Sequence, residues 1–528
     1  MKSNSPNSKA PKNESPYVSV FILTLATFMA GLDSSIVNVS LPKMAADLSS
    51  TPTEIIWIIT SYIIATAAIL PISGWLATYF GRKRYYMASV LCFTITSVLC
   101  GLATNLETLV FFRILQGLSA GGIAPSEQAI IADITPRNQL GRTFAIYGLG
   151  LSVAPILGPT LGGFITDTFS WHWIFFINLP VGIISLILVS LFVKESKQAE
   201  ESTKEFRKSG KTVDFVGIFL FVTGIAALVF LLDEGPKQNW LESNLILVVL
   251  AYTVFSLLVG ITWEYYQKNP AVDISMFKDW GFTGSCILIM TVSFVVSGVG
   301  FIFPFYTQTL LGYTAMDAGM IGLPGTICQL ITIQIIGYAS DKMDIRKIIF
   351  VGLVLTTAAV WNFSGFNLNT GYYDLVWARV FFAVSLSFLA ATINTAAYYG
   401  IPPEKNNNAS ALLNLVRNMG ASFGVSLTST IIATQSQVHT NHLSANANLF
   451  NPNFTQTIDN LVNNFQGYGL SSIQAMNAAR GVVWREILHQ ATMNSILDAI
   501  NVYIVLHLCV IMLVFLLKRK KDDVSDTH

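Results

Sequence analysis

The chain has 528 residues, of which 52% are hydrophobic and only 12% are charged, and its mean hydropathy is +0.56. A soluble domain carries roughly 25% charged residues, so this composition excludes an ordinary soluble protein and predicts a chain that buries apolar surface in lipid. The net charge of +1 gives no reason to expect a nucleic-acid partner. The five cysteines form no CxxC-type pair, so we expect neither a metal site nor a disulfide framework.

Apolar runs recur along the chain, each near the roughly 20 residues that a helix needs to cross the hydrocarbon layer. A short polar tail precedes the first run, and no cleavable signal is expected there. We predict fourteen spans, at 18–40, 55–80, 85–103, 108–131, 143–166, 172–193, 213–232, 243–263, 281–305, 318–340, 348–363, 374–399, 409–434 and 497–517.

The Lys and Arg residues segregate between alternate loops. Of the 31, 24 fall on the side that holds the N-terminus, 4 on the other side and 3 within spans. By the positive-inside rule the first side is cytoplasmic, which predicts that both termini are cytoplasmic. The charged loop at 194–212 is expected to be a solvated hinge, and the polar insertion at 435–496 is expected to lie outside.

Two short motifs occur twice at similar offsets. GWLATYFGRKR at 74–84 has a weaker copy at 337–347, and LVFFR at 109–113 is echoed by LVWAR at 375–379. Copies in equal topological positions predict two related six-helix halves in parallel order, with a substrate cavity between them. The predicted parts are a tail at 1–17, an N-terminal half at 18–193, a linker with two inserted helices at 194–280, a C-terminal half at 281–517 and a tail at 518–528.

Five ionisable side chains lie inside predicted spans: Asp33, Arg113, Glu127, Arg379 and Arg417. A charge at membrane depth costs about 2.5–3.5 kcal/mol even on insertion scales, so such residues are functional candidates. At about 1.5 Å per helical residue, Asp33 and Arg113 both lie about 8–11 Å below the outer surface and could pair. Protonation of Asp33 would release this pair and could couple proton uptake to a conformational change. A static structural salt bridge is the alternative.

Four residues of the fourth span recur on one helical face, and this face is predicted to line the cavity: Arg113, Gln116, Ala120 and Glu127. Glu127 lies about 21 Å from Arg113 along the helix axis, so we predict a second proton site nearer the cytoplasm. Arg417 is expected to face the cavity. Arg379 is close enough to the outer surface to snorkel.

Polar and aromatic side chains of other spans are candidates for substrate contact, although such groups also serve as packing partners on membrane helices. The candidates are Asn38, Trp57, Tyr62, Gln116, Tyr306, Gln308, Asn394, Asn414 and Arg417.

The segment GLGLSVAPILGPTLGG at 148–163 repeats small residues at helical spacing, which permits close approach between helices. Prolines loosen the hydrogen-bond ladder and permit a bend. We predict that this contact opens and closes, with these residues taking part: Pro155, Gly158, Pro159, Gly162 and Gly163.

Together these motifs resemble the major facilitator superfamily, in its fourteen-span drug:proton antiporter branch (EmrB/QacA-like). GLDSSIVNVSLP at 31–42 resembles the first-helix signature, with Asp33 in the acidic position, and LVFFRILQGLSAGG at 109–122 resembles the fourth-helix motif. The segment at 148–163 resembles the fifth-helix antiporter motif.

GWLATYFGRKR resembles the loop motif between the second and third helices, with Gly74, Gly81 and Arg82 at its characteristic positions. The family motif has an Asp four residues after its first glycine, where this chain has Thr78. The resemblance therefore implies either a weakened charge network at the gate or one that depends on Asp341 in the second copy.

The resemblance implies an all-α membrane protein with the major facilitator fold: two six-helix bundles plus two inserted helices. It also implies alternating access, in which lipophilic drugs leave and protons enter, with the proton gradient in place of a cofactor. The insertion at 435–496 resembles that of exporters which work with a periplasmic adaptor and an outer-membrane channel, and this implies a bacterial inner membrane.

Two alternatives stay open. One is a dedicated exporter of a single metabolite, such as a siderophore or a fatty acid, and the other is a non-transporting receptor or scaffold. An enzyme is not expected, because the sequence contains no His/Cys/Asp constellation and no phosphate-cradling loop. The lack of a Walker motif argues against ATP as the energy source.

Overall fold

The computed structural model describes residues 16–195, 197–208, 214–267, 270–448 and 450–517, so most of both predicted tails lies outside the described residues. Within the described part the chain is helical, without strands. Fourteen of its helices overlap the predicted spans: α1 (Pro16–Asp47), α2 (Trp57–Phe80), α3 (Arg82–Gly101), α4 (Leu106–Ile134), α5 (Leu140–Thr168), α6 (Asn178–Phe192), α7 (Phe215–Glu234), α8 (Asn244–Tyr266), α9 (Trp280–Phe305), α10 (Ala315–Lys342), α11 (Ile345–Phe363), α12 (Tyr372–Tyr398), α13 (Asn406–Ala445) and α14 (Ser472–Ile511).

Eleven helices of the described part are long and apolar enough to cross a membrane. The other three long helices, α3, α5 and α13, are interrupted by polar residues and glycines. The structure therefore agrees with a multi-span membrane protein. The count of fourteen spans stays a prediction.

The same helix pairs pack together in each half. In the N-terminal half α1 packs against α5 and α2 against α4, and in the C-terminal half α9 packs against α13 and α10 against α12. This correspondence is what the internal repeat predicts. The inserted helices α7 and α8 pack on each other, and α7 contacts both α2 and α13, so the inserted pair lies along the seam between the halves.

The helix α5 is continuous across the glycine-rich motif. A Cβ on Gly150 would overlap the side chain of Thr24 on α1, so the two helices approach closely at this level. The bend predicted at Pro155 and Pro159 stays a prediction, because their side chains lie outside the described residues.

About two turns further along, at Gly158, the contact between α1 and α5 again requires glycine. A Cβ on Gly158 would overlap the side chain of Ser35, and one on Gly162 would lie 3.1 Å from the carbonyl oxygen of Ile36. A Cβ on Gly163 would meet no atom within 4 Å. Gly163 therefore does not belong to this contact, because it points away from α1.

The charged linker forms a helix, Lys197–Lys208. Arg207 donates from Nε to the carbonyl oxygen of Tyr79 at 2.7 Å and from Nη2 to that of Phe80 at 3.2 Å. These two carbonyls end α2 and have no partner within the helix, so the guanidinium caps it. The described residues of this helix are mostly exposed, which agrees with a solvated linker, and its role as a hinge stays a prediction.

The insertion at 435–496 extends the last two long helices. Both α13 and α14 have 40 residues, about 60 Å and roughly twice the thickness of the hydrocarbon layer. Their outer parts and the helix Pro452–Gly467 form what we call the outer hairpin, residues 435–496. His439 Nε2 lies 2.8 Å from Asp498 Oδ2 and joins α13 to α14 near its base.

Substitution at the glycine contact should separate α1 from α5. We expect Gly158→Val to lower the free energy of unfolding by about 1–3 kcal/mol, because the new side chain must displace Ser35. Gly163→Val is the matched control and should leave stability nearly unchanged, since it enters open space. Thermal unfolding of the purified protein in detergent measures both, and equal melting temperatures for the two variants would contradict the contact.

Candidate functional site

The ion pair expected between the first and fourth spans is present inside the N-terminal half. Arg113 Nη1 lies 2.6 Å from Asp33 Oδ2, and the two side chains are 1% and 0% exposed. Gln116, one turn along α4, donates from Nε2 to Asp33 Oδ1 at 3.0 Å and accepts from Arg113 Nη1 at 2.8 Å. A buried ion pair is tolerable where further hydrogen bonds satisfy its oxygens and protons, and Gln116 supplies one to each partner.

Sequence reasoning missed a second amide at this site. Asn178, in the first turn of α6, donates from Nδ2 to Asp33 Oδ1 at 2.7 Å and to Ser97 Oγ at 2.9 Å. The Asp33 carboxylate therefore receives hydrogen bonds from α4 and α6. The signal available was a single amide in an otherwise apolar run, in the motif stretch WHWIFFINLPVG at 171–182.

Aromatic rings and backbone enclose the arginine. Its Cζ lies 4.2 Å from the centroid of the Tyr62 ring and 5.8 Å from that of Phe175, and its Nε donates to the carbonyl oxygen of Ile58 at 3.1 Å. The prediction that this face of α4 lines the cavity is wrong for this conformation, because α1 and α2 cover it. Tyr62 is likewise a packing partner of Arg113 here.

Glu127 lies on the same helix, away from the ion pair. Its side chain is fully buried, and the hydroxyl of Thr27 on α1 donates to Oε2. Its other oxygen, Oε1, has no hydrogen-bond partner in the described part of the chain. A buried polar atom without a partner is costly, so Glu127 stays a candidate proton site.

A chain of polar side chains crosses from one half to the other. Arg417 donates from Nη2 to Asn394 Oδ1 at 2.8 Å and from Nη1 to Asn414 Oδ1 at 3.0 Å. Asn414 Nδ2 donates to Gln128 Oε1 at 2.9 Å, and Gln128 Nε2 donates to the hydroxyl of Tyr147 at 3.0 Å. The structure thus joins three predicted cavity residues of the C-terminal half to two residues of the N-terminal half that sequence reasoning missed.

The loop motif brings the end of α2 against the C-terminal half. A Cβ on Gly74 would lie 2.8 Å from Asn408 Oδ1, so only glycine fits. Gly81 has φ of 96°, in the left-handed region that favours glycine, and turns the chain from α2 into α3. Thr78, where the family motif has Asp, accepts from Asn407 Nδ2 at 2.9 Å. A neutral side chain therefore makes this connection.

Arg82 follows in the motif and joins both halves. It forms an ion pair with Asp133 at the end of α4, and its Nη2 donates to the carbonyl oxygen of Pro403 at 2.8 Å. Asn406 Nδ2 in turn donates to Asp133 Oδ1 at 2.7 Å. Residue 403 lies just before α13 and residue 406 begins it. Arg82 and Asp133 therefore bind the N-terminal half to the start of α13 in the C-terminal half.

The second motif copy contributes an acid to the same region. Asp341 accepts from the backbone N–H of Gly141 at 2.9 Å, and its Oδ2 lies 3.2 Å from Arg142 Nε. Arg142 also lies over the ring of Tyr338, 4.2 Å from its centroid. The contacts of Gly74, Arg82 and Asp341 share one end of the bundle, which we call the closed end. The predicted topology assigns this end to the cytoplasm.

Four other candidate cavity residues are dispersed. Tyr306 donates to the carbonyl oxygen of Asn367 at 2.6 Å and is buried within the C-terminal half, so it is a packing group rather than a cavity group. Trp57 is 40% exposed and stacks on Phe230 of the inserted pair. Asn38 and Gln308 are exposed. A cavity of about 490 Å³ opens near residues 362–381, and its lining includes Phe366 and Asn367, both of which Tyr306 contacts.

Two repeated halves of packed membrane helices, with a buried ion pair in one and polar contacts closing one end, are the arrangement of a membrane transporter. The family model described as the Major Facilitator Superfamily matches residues 23–425. The chain belongs to the Major Facilitator Superfamily.

Its similarity to characterised exporters covers nearly the whole chain. It is 33% identical to the multidrug export protein EmrB of Escherichia coli (strain K12) over 90% of this chain and 90% of that protein. It is 34% identical to EmrB of Haemophilus influenzae over 86% of each. Among solved structures, the human organic anion transporter MFSD10 (TETRAN) aligns with a TM-score of 0.60 at 11% identity, over 95% of this chain and 100% of that one. This last likeness shows the fold alone.

Removing the newly identified amide should destabilise the ion-pair site. We expect Asn178→Leu to lower the free energy of unfolding by about 1–3 kcal/mol, because Asp33 Oδ1 and Ser97 each lose a hydrogen bond in a buried setting. The exposed Asn38→Leu, five residues after Asp33 on α1, is the control. Thermal unfolding measures both, and an unchanged midpoint for Asn178→Leu would show that the amide does not support the site.

Proposed function

We propose that this chain exports lipophilic drugs across a bacterial inner membrane in exchange for protons, by alternating access and without a bound cofactor. The buried Asp33–Arg113 pair is the observation that carries the proposal. Membership of a transporter family supports it, as does 33% identity to a multidrug export protein over 90% of the chain. The pair is fully enclosed, and a single proton bound to Asp33 would remove its negative charge and leave Arg113 without a counter-charge.

The proposed coupling step is protonation of Asp33. While it is ionised, it draws α1 to α4 through Arg113 and to α6 through Asn178. A neutral carboxyl binds the guanidinium far less strongly, whereas Arg113 keeps its bonds to Gln116 and to the Ile58 carbonyl oxygen. Protonation therefore loosens α1 and leaves the rest of the site in place.

Glu127 is the proposed second site for the proton. It lies on α4, nearer the closed end, and binds α1 through Thr27. A proton leaving Asp33 would thus meet a second acid on the same two helices, because Glu127 contacts Thr27, which lies about 9 Å before Asp33 along α1. Both acids act on the position of α1 relative to α4.

Export of a drug requires the closed end to open in the other half of the cycle. The residues that close it are polar, and water can replace their hydrogen bonds once the halves separate. Arg82, Asp133 and Asp341 lie at helix ends and are buried while this end is closed. With the cytoplasm on this side, the described conformation is closed toward the cytoplasm.

Neutralising Asp33 should abolish coupling. We expect Asp33→Asn to reduce proton-driven dye efflux in inside-out vesicles by about tenfold or more, because the site no longer changes charge with pH. Asp459→Asn, on the exposed helix of the outer hairpin, removes an acid without touching the bundle and should transport as wild type. If Asp33→Asn transports at the wild-type rate with unchanged pH dependence, the coupling role is wrong.

Locking the closed end should stop transport. Thr78 and Asn407 are joined by a 2.9 Å hydrogen bond, so cysteines at these positions, in a background without the five native cysteines, should form a disulfide on oxidation. We expect oxidation to abolish efflux and reduction to restore it, because the halves can no longer part. Each single-cysteine variant is the control. Full efflux by the cross-linked protein would exclude alternating access at this end.

The outer hairpin is the proposed contact for a periplasmic adaptor leading to an outer-membrane channel. It extends well beyond the roughly 30 Å hydrocarbon layer and exposes large apolar side chains, which mark interaction sites on protein surfaces. Phe450 is 96% exposed, Tyr468 83% and Ile473 78%. The relatives named EmrB support the same class of exporter.

If the outer hairpin binds the adaptor, substitutions on it should give different results in two assays. We expect the double substitution Tyr468→Ser and Ile473→Ser to leave efflux in isolated inner-membrane vesicles unchanged, because both residues lie on the outer hairpin. In intact cells that express the adaptor, the same variant should lose drug resistance and co-purification with the adaptor. Wild-type resistance together with normal co-purification would assign the adaptor contact to another surface.

A further inference from the structure

Arg379 occupies the place in the C-terminal half that Arg113 occupies in the N-terminal half. The motifs LVFFR and LVWAR end on these two arginines. Arg113 lies seven residues after Leu106, where α4 begins, and Arg379 lies seven residues after Tyr372, where α12 begins. Each therefore sits about 10 Å along its helix. The two side chains occupy equivalent positions in the repeat, and their surroundings differ.

Arg113 is neutralised and Arg379 is not. The helix that corresponds to α1 in the second half is α9, and its sequence contains no Asp or Glu. In the described part of the chain Arg379 forms no ion pair and no hydrogen bond. The acids nearest to it along α10 and α12 are Asp317 and Asp374, which lie in the first turns of those helices, and the hydroxyl of Thr314 donates to Asp317.

The surroundings of Arg379 are apolar but not filled. Its Cζ lies 4.7 Å from the ring centroid of Phe303 and 5.9 Å from that of Phe382. Its Nη2 points toward α10 at Gly322, where an added Cβ would still be 4.0 Å away. One turn before, a Cβ on Gly319 would meet no atom within 4 Å. Glycine thus leaves space directly beside a cation that lacks a counter-charge.

We propose that Arg379 binds the anionic group of an amphipathic organic substrate, a carboxylate or a sulfonate, while the apolar body of that substrate lies against Phe303 and α10. The guanidinium offers planar, two-pronged hydrogen bonding that suits such oxyanions. A cation at membrane depth without a protein partner marks a ligand site. This inference rests on the proposed export function and narrows its substrate class.

The same chemistry would fit a phospholipid phosphate, so the test uses nanodiscs of zwitterionic phosphatidylcholine without anionic lipid. The probes are naphthalene-1-sulfonate and its neutral analogue naphthalene-1-sulfonamide, which share one aromatic body. We expect wild-type protein to bind the sulfonate about tenfold more tightly, by isothermal titration calorimetry, because only the sulfonate makes charge-assisted bonds.

Arg379→Gln should remove that preference, reducing sulfonate affinity about tenfold while leaving sulfonamide affinity unchanged. Arg480→Gln makes the same charge change on the exposed outer hairpin and should bind both probes as wild type. Gly322→Leu keeps the arginine but fills the space beside it, so it should weaken both probes. The latter variant tests the site without deleting its charge.

Separate measurements of binding and of transport distinguish a failure of the Arg379 proposal from a failure of the proposed export function. If wild type binds both probes equally, or if Arg379→Gln keeps the preference for the sulfonate, the assignment of Arg379 is overturned. Failure of wild-type vesicles to export either probe under a proton gradient, with the binding preference intact, would overturn the export proposal instead. Export of the sulfonate that falls about tenfold in Arg379→Gln, with sulfonamide export unchanged, supports both.

Discussion

The buried ion pair between Asp33 and Arg113 is the constraint on which the N-terminal half depends. Two charges at membrane depth must satisfy each other, and removing one partner of a buried pair typically costs about 3–5 kcal/mol. Asp33 therefore fixes α1 against α4, and Asn178 adds α6 to the same carboxylate. The glycine contact at Gly158 then decides how closely α5 can follow α1. One acid thus sets the relative position of four helices, and a change in its charge acts on all of them.

The interface between the halves follows a different principle. Inside each half the helices are held by apolar contacts, by close glycine contacts and, in the N-terminal half, by the buried ion pair, and apolar contacts would leave voids if they separated. Across the closed end, hydrogen bonds and ion pairs near helix termini, through Thr78, Arg82 and Asp341, add to the close contact at Gly74. Water can take the place of these partners at little net free energy. Rigid halves joined by replaceable polar contacts can rock against each other, which is the mechanical requirement of alternating access.

The sequence predicted the membrane class, the two-half organisation and the Asp33–Arg113 pair because these follow from run length, loop charge and depth along a helix. It did not predict Asn178 or Gln128, since a neutral amide in a span carries no signal of its direction. It misplaced Tyr306 because an aromatic side chain looks the same in a core and in a cavity. Depth arithmetic also could not show that α1 and α2 cover the Arg113 face, because which faces are open depends on the conformational state.

The two halves place an arginine at equivalent positions and surround it differently. In the N-terminal half the arginine is held by a carboxylate that can bind a proton, and in the C-terminal half the equivalent arginine faces a space bordered by Phe303 and Gly322. An exchanger needs one site for the driving ion and another for the cargo, and each must change when the halves move. The polar chain from Tyr147 through Gln128 and Asn414 crosses between the halves. Gln128 is adjacent in sequence to Glu127, the proposed second proton site, and Asn394 at the other end of that chain lies on α12 with Arg379. A movement of α4 on protonation would therefore be transmitted to α12 through these hydrogen bonds. Such a connection would link the proton site near Arg113 to the proposed substrate site at Arg379.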